Sequence, residues 1–519
     1  MRVVLLSWEY PPMRVGGIAA ALEGLAPALA RTGIEVHVVT CGASGGDADE
    51  KQAENLFVHR VNVDVQTNDF LHWVHELNYL MDRRADALIR EWLAEPNAKD
   101  RPILLHVHDW LGLFAGKELK YRYHLPLLST IHATEFGRNN GIHNDMQRYI
   151  NHCEWELQWE SWRVIVCSGF MRGEVMHALH TPYDKVDIIY NGVNPHAFDF
   201  PFREEEQAAF KARFAAPFEK LIYFIGRMVR EKGAQVLVET MPRVRAQFGN
   251  AKLVIAGGGY RAHLEARAQE LGLKDQILFT GRVSDEDRDK LYRVADVAVY
   301  PSLYEPFGIV ALEAMAAKVP VVVSDAGGLA EVVQHDVTGT TTLVDNPDSL
   351  AWGITRALQN PVQARQMAAN AYDRVLTVFN WDNIATQTAD VYNRVWSEYR
   401  ESEWVKGSAV YYTPPVAAPY VAPEAALTDA LRITPEAAVP AAVAEMITDE
   451  TPKKTRRPSK KSAATAYETT AAPASPAMPE AATPGIVTPL LDAILSDAEA
   501  AGEPALDNVK PGRVKRQGK

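Results

Sequence analysis

The sequence predicts an α/β protein built from two consecutive doubly wound sheets, and three observations carry that expectation. Short apolar runs alternate with segments of helical spacing, glycine turns stand where strands give way to helices, and the series occurs twice along 519 residues. A chain of this length exceeds one ordinary core, and its 47% hydrophobic content is enough for two.

The first series opens with a short apolar stretch at residues 3–6. Gly16 and Gly17 then break the chain, residues 18–31 carry apolar positions at helical spacing up to Gly33, and 36–39 form the next strand. A strand–helix–strand unit of this kind implies a parallel sheet. The alternation continues through strands at 103–107, 127–131, 164–167 and 187–190. After a polar stretch at 203–220, a second series places strands at 221–225, 253–256, 277–280, 297–300 and 319–323. These divisions give an N-terminal domain over 1–205 and a C-terminal domain over 206–379, each of ordinary domain size. Residues 380–402 read as a terminal helix. From about 405 to 519 alanine, proline, threonine and glutamate dominate, and such a segment buries too little apolar surface to offset its ordering entropy, so disorder is expected there. Within it, a basic run at 453–461 and a short amphipathic piece at 489–500 stand out.

Composition narrows the class. The net charge of -12 argues against a duplex nucleic-acid binder. Cys41, Cys153 and Cys167 are odd in number and fit no zinc spacing, so neither a disulfide framework nor a structural metal is expected. The first apolar run is too short for a signal peptide, and no stretch reaches about 18 apolar residues, so a cytoplasmic protein without a membrane span is expected. The sequence carries no signal for oligomeric state.

In open α/β sheets ligands sit beyond the carboxyl ends of the strands, and two facing domains make the cleft between them the default site. Gly16-Gly17 lies between a strand and a helix, as either a tight turn or a place where phosphate meets helix N–H groups; it lacks the spaced glycine fingerprint of nicotinamide enzymes. Arg227 and Lys232 follow the first strand of the second half, where a planar fork and a mobile point charge suit a diphosphate. Glu305 and Glu313 are eight residues apart across Pro306, Phe307, Gly308 and Ile309. A helix starting near Phe307 separates the two carboxylates, which favours hydrogen bonds to ligand hydroxyls over a shared-proton pair, and its start can hold an anionic group. His132 and Asp109 each end a strand at the cleft edge; His106 and His108 share a strand face without a third metal ligand near them in sequence. Gly257 to Gly259 make a second glycine turn, either a plain strand exit or a nucleotide contact. Trp155, Trp159 and Trp162 form a helical stripe, read as packing surface before sugar platform.

These motifs in this order resemble the glycosyltransferase group 1 family (families 4 and 5), and within it the bacterial glycogen synthase-like enzymes. The matching pieces are SWEYPPMRVGGIAAAL at the start, HVHDW at 106–110, STIHATEFGR at 129–138, YNGVNP at 190–195, GRMVREKG at 226–233, VIAGGG at 254–259 and YPSLYEPFGIVALEAMAAKVPVV at 300–322. They span about residues 1 to 400, and the Glu-x7-Glu block is the most specific. The resemblance implies a GT-B fold: two Rossmann-like domains facing across a cleft, with the 380–402 helix crossing back onto the first. It implies that a nucleotide-sugar donor binds the second domain, with Arg227 and Lys232 holding its diphosphate in place of a divalent metal, so no cofactor is expected. Glu313 would hold the ribose, Glu305 the donor sugar, and Phe307, Gly308 and Ile309 belong to the same donor-binding block. His132 would lie against that sugar through its backbone carbonyl, Gly16 and Gly17 against donor phosphate or sugar, and Asp109 and Arg14 toward the acceptor. Starch and glycogen synthases usually carry lysine where this chain has Arg14. The implied activity is retaining transfer of glucose from ADP- or UDP-glucose to an α-glucan, by front-face attack. A lipid, small-sugar or polysaccharide acceptor is the alternative within the family. A non-catalytic relative would have lost Arg227, Lys232 or Glu305, and all three are present.

Overall fold

The computed structural model describes residues 1–408 apart from 66, 68, 97, 99 and 100. The segment expected to be disordered lies, from residue 409 onward, outside the described residues.

Two sheets organise the chain. The first contains β1 (Arg2–Leu6), β2 (Glu35–Cys41), β3 (Asp49–Ala53), β4 (Leu56–Val61), β5 (Ile103–His108), β6 (Leu127–Ile131), β7 (Arg163–Val166) and β8 (Val186–Ile188). Their spatial order is β3-β4-β2-β1-β5-β6-β7-β8, parallel except for β3 against β4. The second contains β9 (Lys220–Ile225), β10 (Ala251–Ala256), β11 (Ile277–Gly281), β12 (Val297–Tyr300), β13 (Val321–Ser324) and β14 (Thr340–Thr342), ordered β11-β10-β9-β12-β13-β14 and parallel throughout. Helices cover both faces, which is why β1, β5, β6, β12 and β13 are buried along their whole length; all but β5, which carries His106 and His108, read as largely apolar or small runs. In each sheet the sequence order of the strands reverses once, between the parallel pairs β1 and β5 and β9 and β12. The crevices beyond those strand ends are where such sheets take ligands.

Among the elements that the sequence does not announce are the hairpin β3–β4, the helix Glu204–Lys211 inside the polar stretch, β14, and the helices Pro347–Gln359 and Pro361–Thr377. The tryptophan stripe is packing surface, as expected, at Trp155 and Trp162, which lie against the two apolar cores, and not at Trp159. Trp159 stacks on Trp155 with ring centroids 5.8 Å apart but keeps 66% of its surface exposed, and Trp162 lies past the helix Asp145–Glu160, its indole N–H donating to Glu398.

The helix Trp381–Glu401 follows the second sheet in sequence but packs against the first. Ile384, Val391, Tyr392 and Val395 belong to the same apolar core as β1 and the helix Gly17–Arg31. Gly24 makes room for Trp381, since a Cβ there would fall 2.0 Å from the indole. Among the described residues no helix is long and apolar enough to cross a membrane.

That terminal helix also satisfies a buried histidine. On β5, His106 Nδ1 lies 2.7 Å from the Tyr392 hydroxyl and Nε2 lies 2.7 Å from Thr130 Oγ1. Burial pushes its pKa down to about 3. The folded value is below the unfolded one, so the stability it contributes is present above about pH 6.5 and lost as pH falls toward 3. Replacing His106 with Gln should flatten the pH dependence of unfolding free energy between pH 6 and 4 by up to one proton, about 1.4 kcal/mol per pH unit. Denaturant unfolding of both proteins across that window measures it; parallel curves would assign the acid sensitivity elsewhere.

Candidate active site

The ends of β1, β6, β9 and β12 converge on one cavity of ≈ 340 Å³. Arg14, Gly16, Gly17, His132, Arg227, Lys232, Glu305, Phe307, Gly308, Ile309 and Glu313 all line it; Asp109 does not.

On the β9 side, the chain leaves the strand at Gly226-Arg227 and makes a tight 3-10 turn at Arg230–Lys232. Gly233 closes that turn with φ +74°, and a Cβ there would sit 1.8 Å from the Pro301 carbonyl oxygen. The turn is thereby pressed onto the end of β12, and this brings Lys232 Nζ within 2.9 and 3.1 Å of the Glu305 carboxylate. Lys232 is thus gripped, where a mobile cation was expected. Ser302 donates a further hydrogen bond to Glu305, which is only 6% exposed. Arg227 pairs with Glu231 at 3.2 Å, and the Glu231 carbonyl accepts the Leu303 N–H, so the two strand ends are laced together. The 257–259 glycine turn stays off the cavity wall: Gly257 closes against the Gly226 carbonyl, 1.9 Å from where its Cβ would be.

The block from 305 to 313 bends into the helix Ile309–Ala316, two residues later than expected, with Gly308 at its N-cap. Its first N–H groups have no intrahelical acceptor and open on the cavity beside Lys232. Glu313 lies on the second turn and accepts from the Tyr292 hydroxyl at 2.8 Å. Burial raises its pKa, with the Arg288 charge acting in the opposite direction.

The opposite wall comes from the first sheet. His132 follows β6; its ring Nε2 is 3.0 Å from His108 Nδ1 and its backbone N–H donates to Asp109 Oδ1 at 2.7 Å. Burial lowers the pKa of His132, which keeps the ring neutral at pH 7. Asp109 is 5% exposed and adopts φ 58°, ψ 170°, a region that side chains other than glycine avoid at about 1–3 kcal/mol. That strain turns its carboxylate onto the His132 backbone. The residue expected on the acceptor side therefore stands behind His132 and fixes where it lies.

In the glycine loop, the structure favours the tight-turn alternative at its first two amides. The amides of Val15 and Gly16 are not open to a phosphate, because the buried Glu9 carboxylate accepts both, at 2.6 and 2.8 Å. Burial raises the Glu9 pKa and the backbone N–H donors partly offset it. Arg14, also expected toward the acceptor, is engaged with Glu23 and, across the cleft, with Asp285 at 2.8 Å. Sequence reasoning overlooked Glu9; a lone carboxylate between an apolar strand and a Gly-Gly loop was the available signal. It also overlooked Ser302 and Tyr292, which nothing local marks, and Arg138, an exposed cavity residue with no ion-pair partner among the described residues.

Comparison with known proteins follows the same division of the chain. Residues 206–374 match the family model Glycosyl transferases group 1, and residues 15–197 match Glycosyltransferase Family 4. An uncharacterized glycosyltransferase of Methanocaldococcus jannaschii is 40% identical over 394 residues, 76% of this chain and 98% of that relative. The chain belongs to the group 1 glycosyltransferases. A glycogen synthase of Mycobacterium tuberculosis is 33% identical over 76% of this chain and 94% of its own length. A solved sucrose-phosphate synthase of Thermosynechococcus elongatus superposes with a TM-score of 0.64 at 24% identity, covering 76% of this chain and 99% of that one, a likeness of fold. The fold is GT-B.

For this group 1 glycosyltransferase, Gly17 separates structural from functional use of glycine. A Cβ there meets nothing within 4 Å, so Gly17→Ala should leave the melting temperature unchanged. If a substrate closes against the loop backbone, kcat/KM should still fall by about tenfold, the size of a small steric loss at a binding surface. Steady-state kinetics beside a thermal melt separates the two effects.

Proposed function

We propose that this transferase takes glucose from ADP- or UDP-glucose and extends an α-glucan with retention at the anomeric carbon. The observation that carries the reading is the convergence of Lys232, Arg227 and the open N-terminus of the helix Ile309–Ala316 on one cavity. As the bond between the sugar and the diphosphate breaks, negative charge grows on the leaving oxygen. Two cations and a helix start set beforehand around it stabilise that charge without reorganising, and they take the part a divalent ion would otherwise play, so no cofactor is invoked. The departing oxygen accepts the proton of the attacking acceptor hydroxyl on the same face. Glu305, held by Lys232 and Ser302, meets the hydroxyls of the donor sugar, and Glu313 meets the ribose. His132, neutral and fixed by Asp109, shapes the sugar side of the cavity.

Arg138 favours a second acceptor class. Its guanidinium lines the cleft wall with no salt bridge among the described residues, which suits a small acceptor bearing phosphate, where a neutral glucan leaves it unused. One panel decides both readings: ADP-glucose, UDP-glucose and GDP-mannose are each incubated with no acceptor, with glycogen and with a sugar phosphate, and released nucleotide and product are measured. Glycogen-dependent release from a glucose donor is expected. Release only with the sugar phosphate would replace the glucan, and no release with any donor would sink the transferase reading of the site.

A further inference from the structure

A second concavity lies on the outer side of the second sheet's half, between the helices Ala234–Gln247 and Pro347–Gln359. Its volume of ≈ 500 Å³ falls within the about 300–1,000 Å³ of ordinary ligand sites. None of the residues that line it lines the cleft described above.

The fold itself creates this groove. The helix Pro347–Gln359 is pressed onto β13 and β14 at Gly353, where a Cβ would lie 2.7 Å from Thr342 and 2.9 Å from Val322. Its neighbour Trp352 is thereby turned outward and keeps 47% of its surface exposed. Two groups order the indole from its faces: the Arg356 guanidinium lies over the ring at 5.4 Å, and His335 stacks at 6.3 Å. The part of the ring they leave exposed is aromatic surface on which the apolar face of a pyranose can pack.

The surrounding groups complete the chemistry. Gln247, Gln359 and Asn360 bring amide forks, each able to donate and accept toward a pair of neighbouring hydroxyls. Both cations of the groove are paired: Arg243 with Asp348 inside it, and Arg356 with Asp336 outside the lining. The lining is therefore polar with each arginine already engaged by a carboxylate, which suits a neutral polyhydroxylated ligand better than a phosphate or nucleic acid. Apart from Trp352 and alanine it offers little apolar surface for a protein partner.

We propose that this groove is a non-catalytic saccharide site that holds a neutral α-glucan chain while another part of the same polymer is used in the cleft. The inference rests on the glucan reading of the acceptor. Native affinity electrophoresis of the full chain in gels with and without glycogen tests it, beside transfer assays on glycogen and on a short maltooligosaccharide. Trp352→Ala should bind glycogen about tenfold more weakly, the loss of one aromatic anchor, and raise the KM for glycogen while leaving transfer to the short acceptor unchanged. The double variant Gln247→Ala/Gln359→Ala, at exposed positions that do not hold the fold, should do the same. Glycogen retardation equal to wild type in both variants would overturn the second site while leaving the acceptor reading intact. Wild-type protein that is not retarded yet transfers to the short acceptor would also overturn the site alone. No transfer to either glucan would instead remove the acceptor reading on which it rests. A dimer lost on Trp352→Ala would assign the groove to a second copy of the chain.

Discussion

Replacing Lys232 with alanine is expected to lower turnover about 10²–10³-fold, the usual loss when one preorganised charge-stabilising donor is removed. The structure adds that this variant is not innocent of stability effects. Lys232 is the ion-pair partner of Glu305, whose side chain is 8% exposed, so the substitution strands a carboxylate that the Ser302 hydroxyl alone cannot satisfy. Removing one partner of a fully buried pair costs about 3–5 kcal/mol, and with the lysine 23% exposed about 2 kcal/mol is expected here. The double variant Lys232→Ala/Glu305→Gln, read against Glu305→Gln alone because Glu305 is itself proposed to meet the donor, separates the effects: melting should recover most of the loss while turnover falls well below that of Glu305→Gln. Equal turnover in Glu305→Gln and the double variant would mean that Lys232 acts only by keeping Glu305 in place.

Gly233→Ala is expected to be more damaging than its single methyl suggests. The methyl would sit 1.8 Å from the Pro301 carbonyl oxygen, a backbone atom at the end of β12 that cannot swing aside, on a residue with φ +74°. Strain and displacement together should cost about 3 kcal/mol, and the turn carrying Lys232 must move outward. Activity should fall with stability, measured as kcat against thermal midpoint. Gly17→Ala is the internal contrast, since it adds the same methyl to open space. A Gly233→Ala enzyme with wild-type melting would refute the close contact as the reason for glycine after the lysine.

What the sequence disclosed follows from how each element is buried. β1, β12 and β13 are covered on both faces, so they appear as continuous apolar runs that any reader finds. β3, Asp-Glu-Lys-Gln-Ala, lies at the sheet margin with mostly exposed side chains, and nothing in its composition distinguishes it from a loop. The cavity-lining residues were legible where chemistry and strand ends coincide, as at Arg227, Lys232 and Glu305. Side-chain direction was not. Asp109 ends a strand just as His132 nearly does, yet its backbone angles send the carboxylate inward, and no spacing rule encodes a φ of 58°. The Val15 and Gly16 amides of the glycine loop were likewise claimed by Glu9, a partner visible only once β1 and the loop are folded against each other.

The terminal helix has a consequence for how the halves can move. The chain passes between them twice, once after β8 and once just before Trp381, and the two passages run side by side: the Val193 N–H donates to the Phe379 carbonyl at 2.8 Å, with Val193 bridged to Asn380. A single tether would permit swivelling about any direction. Two tethers bound at one spine leave mainly an opening and closing like the covers of a book. Lys232 and Glu305 ride on the same cover, so their grip is unaffected by the angle, whereas the Arg14–Asp285 pair spans the fore-edge and registers it directly.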